Sequence, residues 1–441
     1  MATKDKLSRV LRVPDLAALA IGSVIGSGIF AVPGMVAENI GSPLWILSAW
    51  AIVGLVALCS ALTFAELANQ FPQQGGAFIY LRETYGRVPA FLSGWSAFWV
   101  GFPAGSAGIS MVGARYLTRV LELDASATTP IACAMLLVIC GLALLSTRRS
   151  FMLNNLFTLV KVVAIALLVA LALLAPQVDF SRAWSTSGPP LQGAMVGSAM
   201  VAIFWSYAGW QNLVIVAGES VTEALTLTRA LIGAIVIVVA VYLFANVGYL
   251  AVLPMEQLAG NEQPAADLAE AALGGMGAKV LAGLVVVSSL GALLGSFLAG
   301  PRFFYAMAQE GLFFSFAGRV SSEGAAPHGG VLVQLMVALV YVITGSFRDI
   351  AGYYVAASLL FISLTLSCVF VLRRRHPNRT LPYRVPLYPL VPLLGMSVSL
   401  WVLVTEVMRM PERAGIGLLI LLAGLPVYAL WGQRQPMKKP S

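Results

Sequence analysis

The chain has 441 residues, of which 59% are hydrophobic and only 10% are charged, and its mean hydropathy is +0.87. Soluble domains usually carry about 25% charged residues, so this composition excludes an ordinary soluble domain. The formal net charge of +8 does not indicate a nucleic-acid partner, because the basic residues lie in short segments between long apolar runs.

The apolar runs recur along the whole chain, and each is long enough to cross a hydrocarbon core of about 30 Å. The sequence therefore predicts an all-α membrane protein that forms a single domain over residues 1–441 and lies in a lipid bilayer. Its twelve predicted transmembrane helices, called spans 1 to 12, lie at 15–37, 44–70, 88–118, 129–147, 152–175, 191–222, 228–253, 276–308, 329–346, 350–372, 386–407 and 413–432.

The segments between the spans carry unequal numbers of basic residues. Eighteen Lys and Arg residues fall on one side of the predicted bundle and seven on the other. The positive-inside rule places the richer side in the cytoplasm. We therefore expect a protein of the cytoplasmic (inner) membrane with both termini cytoplasmic. No cleaved signal peptide is expected, because no A-x-A-like site follows the first apolar run.

Span 1 contains "IGSVIGSGIF" (21–30), where three glycines and two serines crowd the middle of the membrane. Each glycine costs a helix interior about 1 kcal/mol relative to alanine. Span 6 is interrupted in the same way in "VAIFWSYAGWQNLVIVAGE" (201–219). Two broken helices five spans apart predict inverted five-helix repeats, 13–175 and 191–372, with a site at the bilayer midplane. Helices 11 and 12 then occupy 384–432. The alternative is that the small residues only allow close helix packing.

A broken helix frees backbone groups that hydrocarbon would penalise unless they line a polar cavity. The N–H groups of Ser27, Gly28 and Ile29, at the start of the second half-helix, are suited to a carboxylate. Carbonyl groups around Val24, Trp205 and Ala208 are suited to an ammonium group. A site with one carboxylate pole and one ammonium pole predicts an α-amino acid as the ligand.

Two segments outside the spans have a recognisable composition. Pro254–Gly274 carries four acidic residues in a pattern that predicts a short surface helix. The basic, proline-rich segment 373–392 predicts a turn that separates the first ten spans from the last two.

Lys161 is a charged residue about ten positions, or about 15 Å, inside span 5. This depth is too great for snorkelling, and a buried ionisable residue in a membrane span indicates function. The cysteines, by contrast, have no metal-ligand spacing, so we expect no metal site and no cofactor. No Ser/His/Asp set or phosphate loop lies at membrane depth, so an enzyme is not expected.

Five stretches resemble the amino acid–polyamine–organocation superfamily, and within it the L-type amino acid transporters and their bacterial relatives. They are "IGSVIGSGIFAVP" (21–33), "AELANQFPQQGGAFIYLRETYG" (65–86), "FWSYAGWQNL" (204–213), "AMAQEGLFF" (306–314) and "RTLPYRVPLYPLVPLL" (379–394). The resemblance covers nearly the whole chain, and it rests on the order of the five stretches rather than on any one of them.

The resemblance implies a LeuT-like 5+5 inverted repeat with broken helices 1 and 6 and alternating access to a central site. It places the substrate carboxylate at Ser27 and Gly28 and the amine at the carbonyl groups of Val24 and Ala208. Trp205 corresponds to an aromatic lid, although simple packing is the alternative for this residue. The predicted substrate-binding residues are Ser23, Val24, Ile25, Gly26, Ser27, Gly28, Ile29, Ser106, Phe204, Trp205, Ser206, Tyr207, Ala208 and Gly209, with Ser23 and Ser106 at the side-chain end.

The same resemblance gives Lys161 a role. Sodium-coupled members of the fold hold a cation between spans 1 and 8, and the Lys161 ammonium would replace that ion. It would bond carbonyl groups near the span 1 break and a hydroxyl of span 8, either Ser288 or Ser289. This arrangement implies sodium-independent transport.

The expected function is therefore a sodium-independent exchanger (antiporter) of neutral L-amino acids. No carboxylate is evident at midplane depth, which disfavours a cationic substrate. Animal L-type transporters carry a cysteine between spans 3 and 4 that bonds a glycoprotein partner; the loop "LELDASATT" (121–129) has none, so no disulfide-linked heavy chain is expected. The sequence is compatible with a homodimer. The alternatives are a proton-coupled transporter, a cationic amino acid or polyamine transporter, and a non-transporting amino acid sensor.

Overall fold

The computed structural model of the protein describes residue 7 and residues 9–221, 223–320, 327–345 and 347–432. These residues are mainly helical, and a single isolated bridge joins Leu11 to Ser220. The helices are α1 (Val13–Val24), α2 (Gly28–Ile40), α3 (Pro43–Gln70), α4 (Ala77–Tyr85), α5 (Arg87–Ser96), α6 (Phe102–Leu121), α7 (Thr128–Ala143), α8 (Thr147–Leu174), α9 (Phe180–Ala183), α10 (Gly193–Tyr207), α11 (Asn212–Ile215), α12 (Ala224–Val252), α13 (Met255–Leu258), α14 (Pro264–Gln309), α15 (His328–Thr344), α16 (Phe347–Arg375), α17 (Leu390–Arg409) and α18 (Pro411–Gly432).

The helices of membrane length coincide with the predicted spans. Within the described ranges, nine helical stretches are long and apolar enough to cross a membrane. Three shorter apolar helices, Gly193–Tyr207, His328–Thr344 and Gly415–Leu430, correspond to spans 6, 9 and 12. The prediction of an all-α membrane protein with twelve transmembrane helices is confirmed. Because twelve is even, α1 begins and α18 ends on the same side, here called the terminal side.

Spans 1 and 6 are both broken, as predicted. In span 1, α1 ends at Val24 and α2 begins at Gly28. In span 6, α10 ends at Tyr207 and α11 begins at Asn212. The unwound part of span 6 starts later than the sequence suggests, because Ser206 is still helical. The turn is made at Gly209, whose φ of 110° is accessible to glycine and strained for other residues. The division into two repeats remains a prediction.

A proline extends the irregularity of span 1 beyond the break. Pro33 lies inside α2 and has no N–H, so the carbonyl of Ile29 four residues earlier loses its helical partner. The hydroxyl of Tyr249 on α12 donates to that carbonyl at 3.1 Å. A membrane interior offers no water to do this, so a side chain from a neighbouring helix stabilises the backbone.

A row of polar side chains on α8 follows α1 along its length. Asn155 donates to the carboxylate of Asp15 at 2.7 Å, and Thr158 donates to the carbonyl of Ala18 at 3.0 Å. Lys161 continues the row one turn further on and donates to the carbonyl of Gly22. Three successive turns of α1 are thus held by one face of α8, which fixes the half-helix that leads into the break.

Two buried carboxylates tie elements together on the terminal side. Glu219, just after α11, pairs with Arg302 of α14, and both side chains are fully buried. Its backbone carbonyl also accepts from the N–H groups of Val10 and Leu11, at 2.9 and 3.0 Å. Glu66 at the end of α3 pairs with Arg373 of α16 at 2.7 Å. The second pair anchors the predicted basic turn, which runs over 376–389.

The opposite side is closed by the segment between α12 and the membrane part of α14. The predicted surface helix is present here as α13 and as the first turns of α14, which bends at Gly274. Arg119 of α6 pairs with Asp267 at 2.5 Å and with Glu270 at 2.6 Å. The N–H of Gly260 donates to the carbonyl of Gly34 at 3.0 Å, so the segment also contacts α2.

Candidate binding site

A cavity of about 150 Å³ lies where the two broken helices meet. Nine predicted site residues line it: Ser23, Val24, Gly26, Ser27, Gly28, Trp205, Ser206, Ala208 and Gly209. The structure thus brings both unwound segments to one space, although they are about 180 residues apart in sequence. That convergence is what the inverted-repeat interpretation requires of spans 1 and 6.

The cavity extends from the breaks toward the terminal side. Its lining includes Ser93 of α5, Phe303 of α14 and Thr365 of α16, all in the terminal half of their helices. Tyr116 and Tyr249, beyond the break in the other half, do not line it and are fully buried. The protein is therefore in a conformation whose central cavity faces the terminal side.

The start of α2 presents unpaired donors. The backbone N–H groups of Ser27, Gly28 and Ile29 have no hydrogen-bond acceptor within the described part of the chain. The buried hydroxyl of Ser27 has no partner there either. Free N–H groups at a helix N-terminus, where the helix dipole is positive, favour a bound anion. These are the three groups that the sequence predicts for a carboxylate.

The acceptor side differs in detail from the expectation. The carbonyl of Val24 already accepts from the Tyr242 hydroxyl at 2.7 Å and from the N–H of Gly26 at 2.8 Å. A carbonyl oxygen has two lone pairs, so Val24 has little capacity left for an ammonium group. The carbonyl groups of Ile25 and Ala208 accept no hydrogen bond from any described residue. Of these two residues only Ala208 lines the cavity, and the carbonyl of Ser23, another lining residue, also accepts no hydrogen bond from a described residue.

Trp205 lies on the cavity between α6 and α16. A Cβ at Gly108 would lie 2.4 Å from the indole ring, so the ring occupies space that this glycine leaves. On its other side the indole meets Tyr354 edge to face, with the ring centroids 5.0 Å apart. Tyr354 also lines the cavity. This placement agrees with a lid over the ligand and with a packing role.

The remaining predicted residues do not line this cavity. Ile25 and Ile29 are buried in the apolar core. Phe204 and Tyr207 line a second cavity of about 30 Å³, between the span 6 break, α3 and α16. Ser106 lies behind the wall of the main cavity, within hydrogen-bonding distance of Ser296 at 3.1 Å.

Lys161 is fully buried at the middle of α8, 14 residues after Thr147, or about 21 Å along the helix axis. Its ammonium donates to the carbonyl of Gly22, and Ser288 of α14 donates to the carbonyl of Gly26 at 3.4 Å. The first carbonyl group lies in the last turn of α1 and the second lies in the span 1 break itself. Ser289, in contrast, donates within its own helix, to Val285 at 2.9 Å. Of the two serines named from sequence, the structure brings Ser288 to the break.

Sequence reasoning did not find several residues at the site. Tyr242 of α12 joins the two breaks, because its hydroxyl also contacts the carbonyl of Ser206 at 3.2 Å. Asn212 donates to the Ser23 hydroxyl at 3.1 Å, and Ser296 lines the cavity from α14. Of these three, only Asn212 lies within a stretch that the sequence singles out, 204–213. Among the described residues, no group of three His, Cys, Asp or Glu side chains is placed to hold a metal ion.

Comparison with known proteins agrees with this architecture. The profile of the amino acid permease family matches residues 11–424. The serine/threonine exchanger SteT of Bacillus subtilis (strain 168) is 29% identical over 413 residues, covering 93% of this chain and 94% of that protein. Large neutral amino acids transporter small subunit 2 of Homo sapiens is 28% identical over 434 residues, covering 96% of this chain and 80% of that protein. The human b(0,+)-type amino acid transporter 1 is 27% identical over 434 residues, with 96% and 88% covered.

A bundle of twelve membrane helices around a cavity at two broken helices is the architecture of a secondary transporter. Because the family profile covers nearly the whole length, the chain belongs to the amino acid permease family. The resemblance to the amino acid–polyamine–organocation superfamily is thereby confirmed. The protein is a multi-pass membrane transporter and not an enzyme.

Proposed function

We propose that the protein is a sodium-independent exchanger of neutral L-amino acids. The observation that carries the proposal is the arrangement of free backbone groups around one cavity. The free N–H groups of Ser27 and Gly28 belong to residues that line it, with that of Ile29 next along α2, and the open carbonyl groups of Ser23 and Ala208 belong to lining residues as well. The first set matches a carboxylate and the second an ammonium group, so the pair supports a zwitterionic α-amino acid.

The charge of the lining supports a neutral side chain. None of the described residues that line the cavity is Asp, Glu, Lys, Arg or His. A cationic amino acid or a polyamine would place a second positive charge in this space without a counter-charge, which is costly at membrane depth. Cationic amino acids and polyamines are therefore less favoured substrates than neutral amino acids.

The position of Lys161 supports independence from sodium. Its ammonium already provides a positive charge beside the carbonyl groups of the span 1 break, bonding Gly22 while Ser288 bonds Gly26. A transported cation is therefore not needed there. If Lys161 instead releases its proton during the cycle, the protein is a proton-coupled transporter, and this is the second candidate mechanism.

The names of the relatives favour exchange of amino acids over a sensing role, since SteT is named as an exchanger and the human relatives as transporters. We place the protein in the cytoplasmic membrane with the terminal side facing the cytoplasm. The four cysteines, Cys59, Cys133, Cys140 and Cys368, lie outside the segment 121–129. We therefore expect no disulfide-linked heavy chain, and a homodimer is compatible with the exposed apolar faces.

The test uses purified protein in proteoliposomes that are either empty or loaded with a mixture of neutral L-amino acids. We expect uptake of labelled L-amino acid into loaded vesicles, equal in sodium and potassium buffers, and little uptake into empty ones. The corresponding amino acid amides, which lack a carboxylate, should not compete. Competition by amides as strong as by the acids would contradict the assigned carboxylate pole. Strict dependence on sodium, or a failure of every amino acid to exchange, would overturn the proposed function.

A further inference from the structure

Three buried polar side chains from three different helices meet behind one wall of the cavity. Gln334 of α15 donates through Nε2 to the hydroxyls of Ser106 and Ser296, at 3.1 and 3.2 Å. The two hydroxyls are 3.1 Å apart. Ser106 and Gln334 are fully buried, whereas Ser296 is 9% exposed and lines the cavity. We call these three residues the serine–glutamine cluster.

The hydrogen atoms of the cluster can be assigned from its contacts. The Gln334 amide has two N–H bonds, and each serves one serine. Ser106 gives its hydroxyl hydrogen to the carbonyl of Phe102 at 2.8 Å. Ser296 accepts one hydrogen bond from Gln334, so it keeps a second lone pair and a hydrogen that can turn toward Ser106 or toward the cavity. Ser296 therefore presents the cavity with a hydroxyl that can donate or accept.

This hydroxyl lies beside the break of span 1. The neighbouring residue, Gly295, lets α14 approach α1, since a Cβ there would lie 2.8 Å from the Ser23 hydroxyl. One turn earlier, Ala292 packs against Gly26 in the break itself. Ser23 also lines the cavity, and its oxygen accepts from Asn212. Two serine hydroxyls thus flank Gly295, next to the backbone groups assigned to the substrate.

We propose that Ser296, positioned by Gln334 and Ser106, recognises a hydroxyl group on the substrate side chain, so that the site prefers hydroxylated amino acids such as serine and threonine. The proposal rests on the proposed function and names the substrate class within it. The side-chain hydroxyl of a bound serine or threonine can form a hydrogen bond with Ser296 in a water-poor site. The methyl group of a bound alanine cannot, so the hydroxyl of Ser296 is left without a partner in the cavity. Because Ser296 keeps its bond to Gln334 in both cases, the expected preference is about five- to tenfold.

The experiment measures inhibition of labelled L-serine exchange by unlabelled L-serine and L-alanine in loaded proteoliposomes. Wild-type protein should be inhibited by serine at about five- to tenfold lower concentration than by alanine. Ser296→Ala should bring this ratio close to one, and Ser296→Thr, which keeps a hydroxyl, should retain the preference. Gln334→Met keeps the length of the side chain but removes both N–H groups, and it should lower the ratio in part.

Ser110→Ala is the matched control. Ser110 is buried on the same helix as Ser106 but bonds the carbonyl of Ala107 and does not line the cavity, so its loss should leave the ratio unchanged. Equal inhibition of the wild type by serine and alanine, or a preference that survives in Ser296→Ala, overturns the inference while amino acid exchange stands. If no amino acid inhibits exchange, the proposed function fails together with it.

Discussion

The side chain of Lys161 occupies a space that exists because residue 291 is glycine. A Cβ at Gly291 would lie 2.7 Å from Cε of Lys161 and 3.2 Å from its Nζ. The ammonium contacts the carbonyl of Gly22, which has no helical partner, because the N–H of Gly26 donates to Val24 instead. The lysine therefore replaces a backbone hydrogen bond that the break removes.

We expect Lys161→Met, which keeps the length but removes the charge and the donors, to lower the apparent affinity for amino acids about tenfold or more. The reason is that a buried carbonyl loses its partner and the end of α1 loosens. The variant should show no new pH dependence if Lys161 acts as a fixed strut. The measurement is the substrate dependence of exchange between loaded vesicles and the medium.

Lys279→Met is the control for that experiment. Lys279 is 46% exposed and pairs with Glu122 at 2.6 Å on the opposite side, far from the cavity. Wild-type affinity in Lys161→Met would contradict the strut. Concentrative uptake into empty vesicles under a pH gradient, lost in Lys161→Met, would favour proton coupling instead.

At the scale of single residues, the sequence is informative where a functional group and the residues that determine its role are neighbours in the chain. The free N–H groups of Ser27 and Gly28 could be predicted because the glycines that break the helix are their neighbours. The two hydrogen bonds that occupy the carbonyl of Val24 could not, because Tyr242 is 218 residues away in the chain. Of the serine–glutamine cluster, Ser106 was named from the sequence, whereas Ser296 and Gln334 were missed for the same reason, since the three members come from three helices.

At the scale of elements, the two unwound segments are joined by one side chain. The Tyr242 hydroxyl contacts the carbonyl of Val24 in span 1 and the carbonyl of Ser206 in span 6. The hydroxyl has a single hydrogen, so it serves the two acceptors in turn or shares it between them. This places the tyrosine where it can hold the two half-sites at a constant separation.

Tyr242→Phe should therefore slow exchange about five- to tenfold while the protein still folds, because it removes only the shared hydroxyl. Tyr80→Phe is a matched control, since Tyr80 is also fully buried and its hydroxyl has no hydrogen-bond partner among the described residues. Exchange rates and thermal unfolding in detergent should be measured for both variants. Equal rates in the two would remove Tyr242 from the mechanism.

The helices themselves were largely predictable, because an apolar run of membrane length has few other interpretations. The breaks were predictable as well. Glycine and serine destabilise a helix interior, so a cluster of them in the middle of a membrane span indicates that the helix is interrupted there. The π-helical turn at Ala97–Gly101 was not predicted. This turn joins α5 to α6 beside the cavity, and Ala97 and Gly101 line the cavity. It depends on the packing of α5 and α6 against the cavity rather than on a local sequence signal.

At the scale of the whole molecule, the cavity opens toward the terminal side and the opposite side is closed. Ala97→Cys, introduced after the four native cysteines are replaced by alanine, should react with a membrane-impermeant maleimide from the terminal side. Ala132→Cys, buried in α7, should not react. Labelling in inside-out and right-side-out vesicles identifies the side, and reaction of Ala97→Cys only from outside the cell would contradict a cytoplasmic terminal side.

The buried pair of Glu219 and Arg302 also acts at this scale, because it joins the end of span 6 to α14. Removing one partner leaves a buried charge unpaired, which typically costs about 3–5 kcal/mol. Glu219→Gln should therefore lower the thermal stability of the purified protein. The double variant Glu219→Leu with Arg302→Met should recover most of the loss, since apolar replacement of both partners is often neutral. A single variant as stable as the wild type would show that the pair contributes little.

Several glycines at the site and on the closed opposite side are in close contact with neighbouring atoms. A Cβ at Gly28 would lie 2.7 Å from Cα of Ser206, and one at Gly34 would lie 2.0 Å from the carbonyl oxygen of Asn261. One at Gly108 would enter the Trp205 ring. Drift of the sequence over evolutionary time is therefore expected to spare these positions, where even one methyl group meets backbone or a large ring. Accepted changes should accumulate instead on the lipid-facing surface, where side chains such as Phe244 and Met336 are about two-thirds exposed, at 66% and 64%.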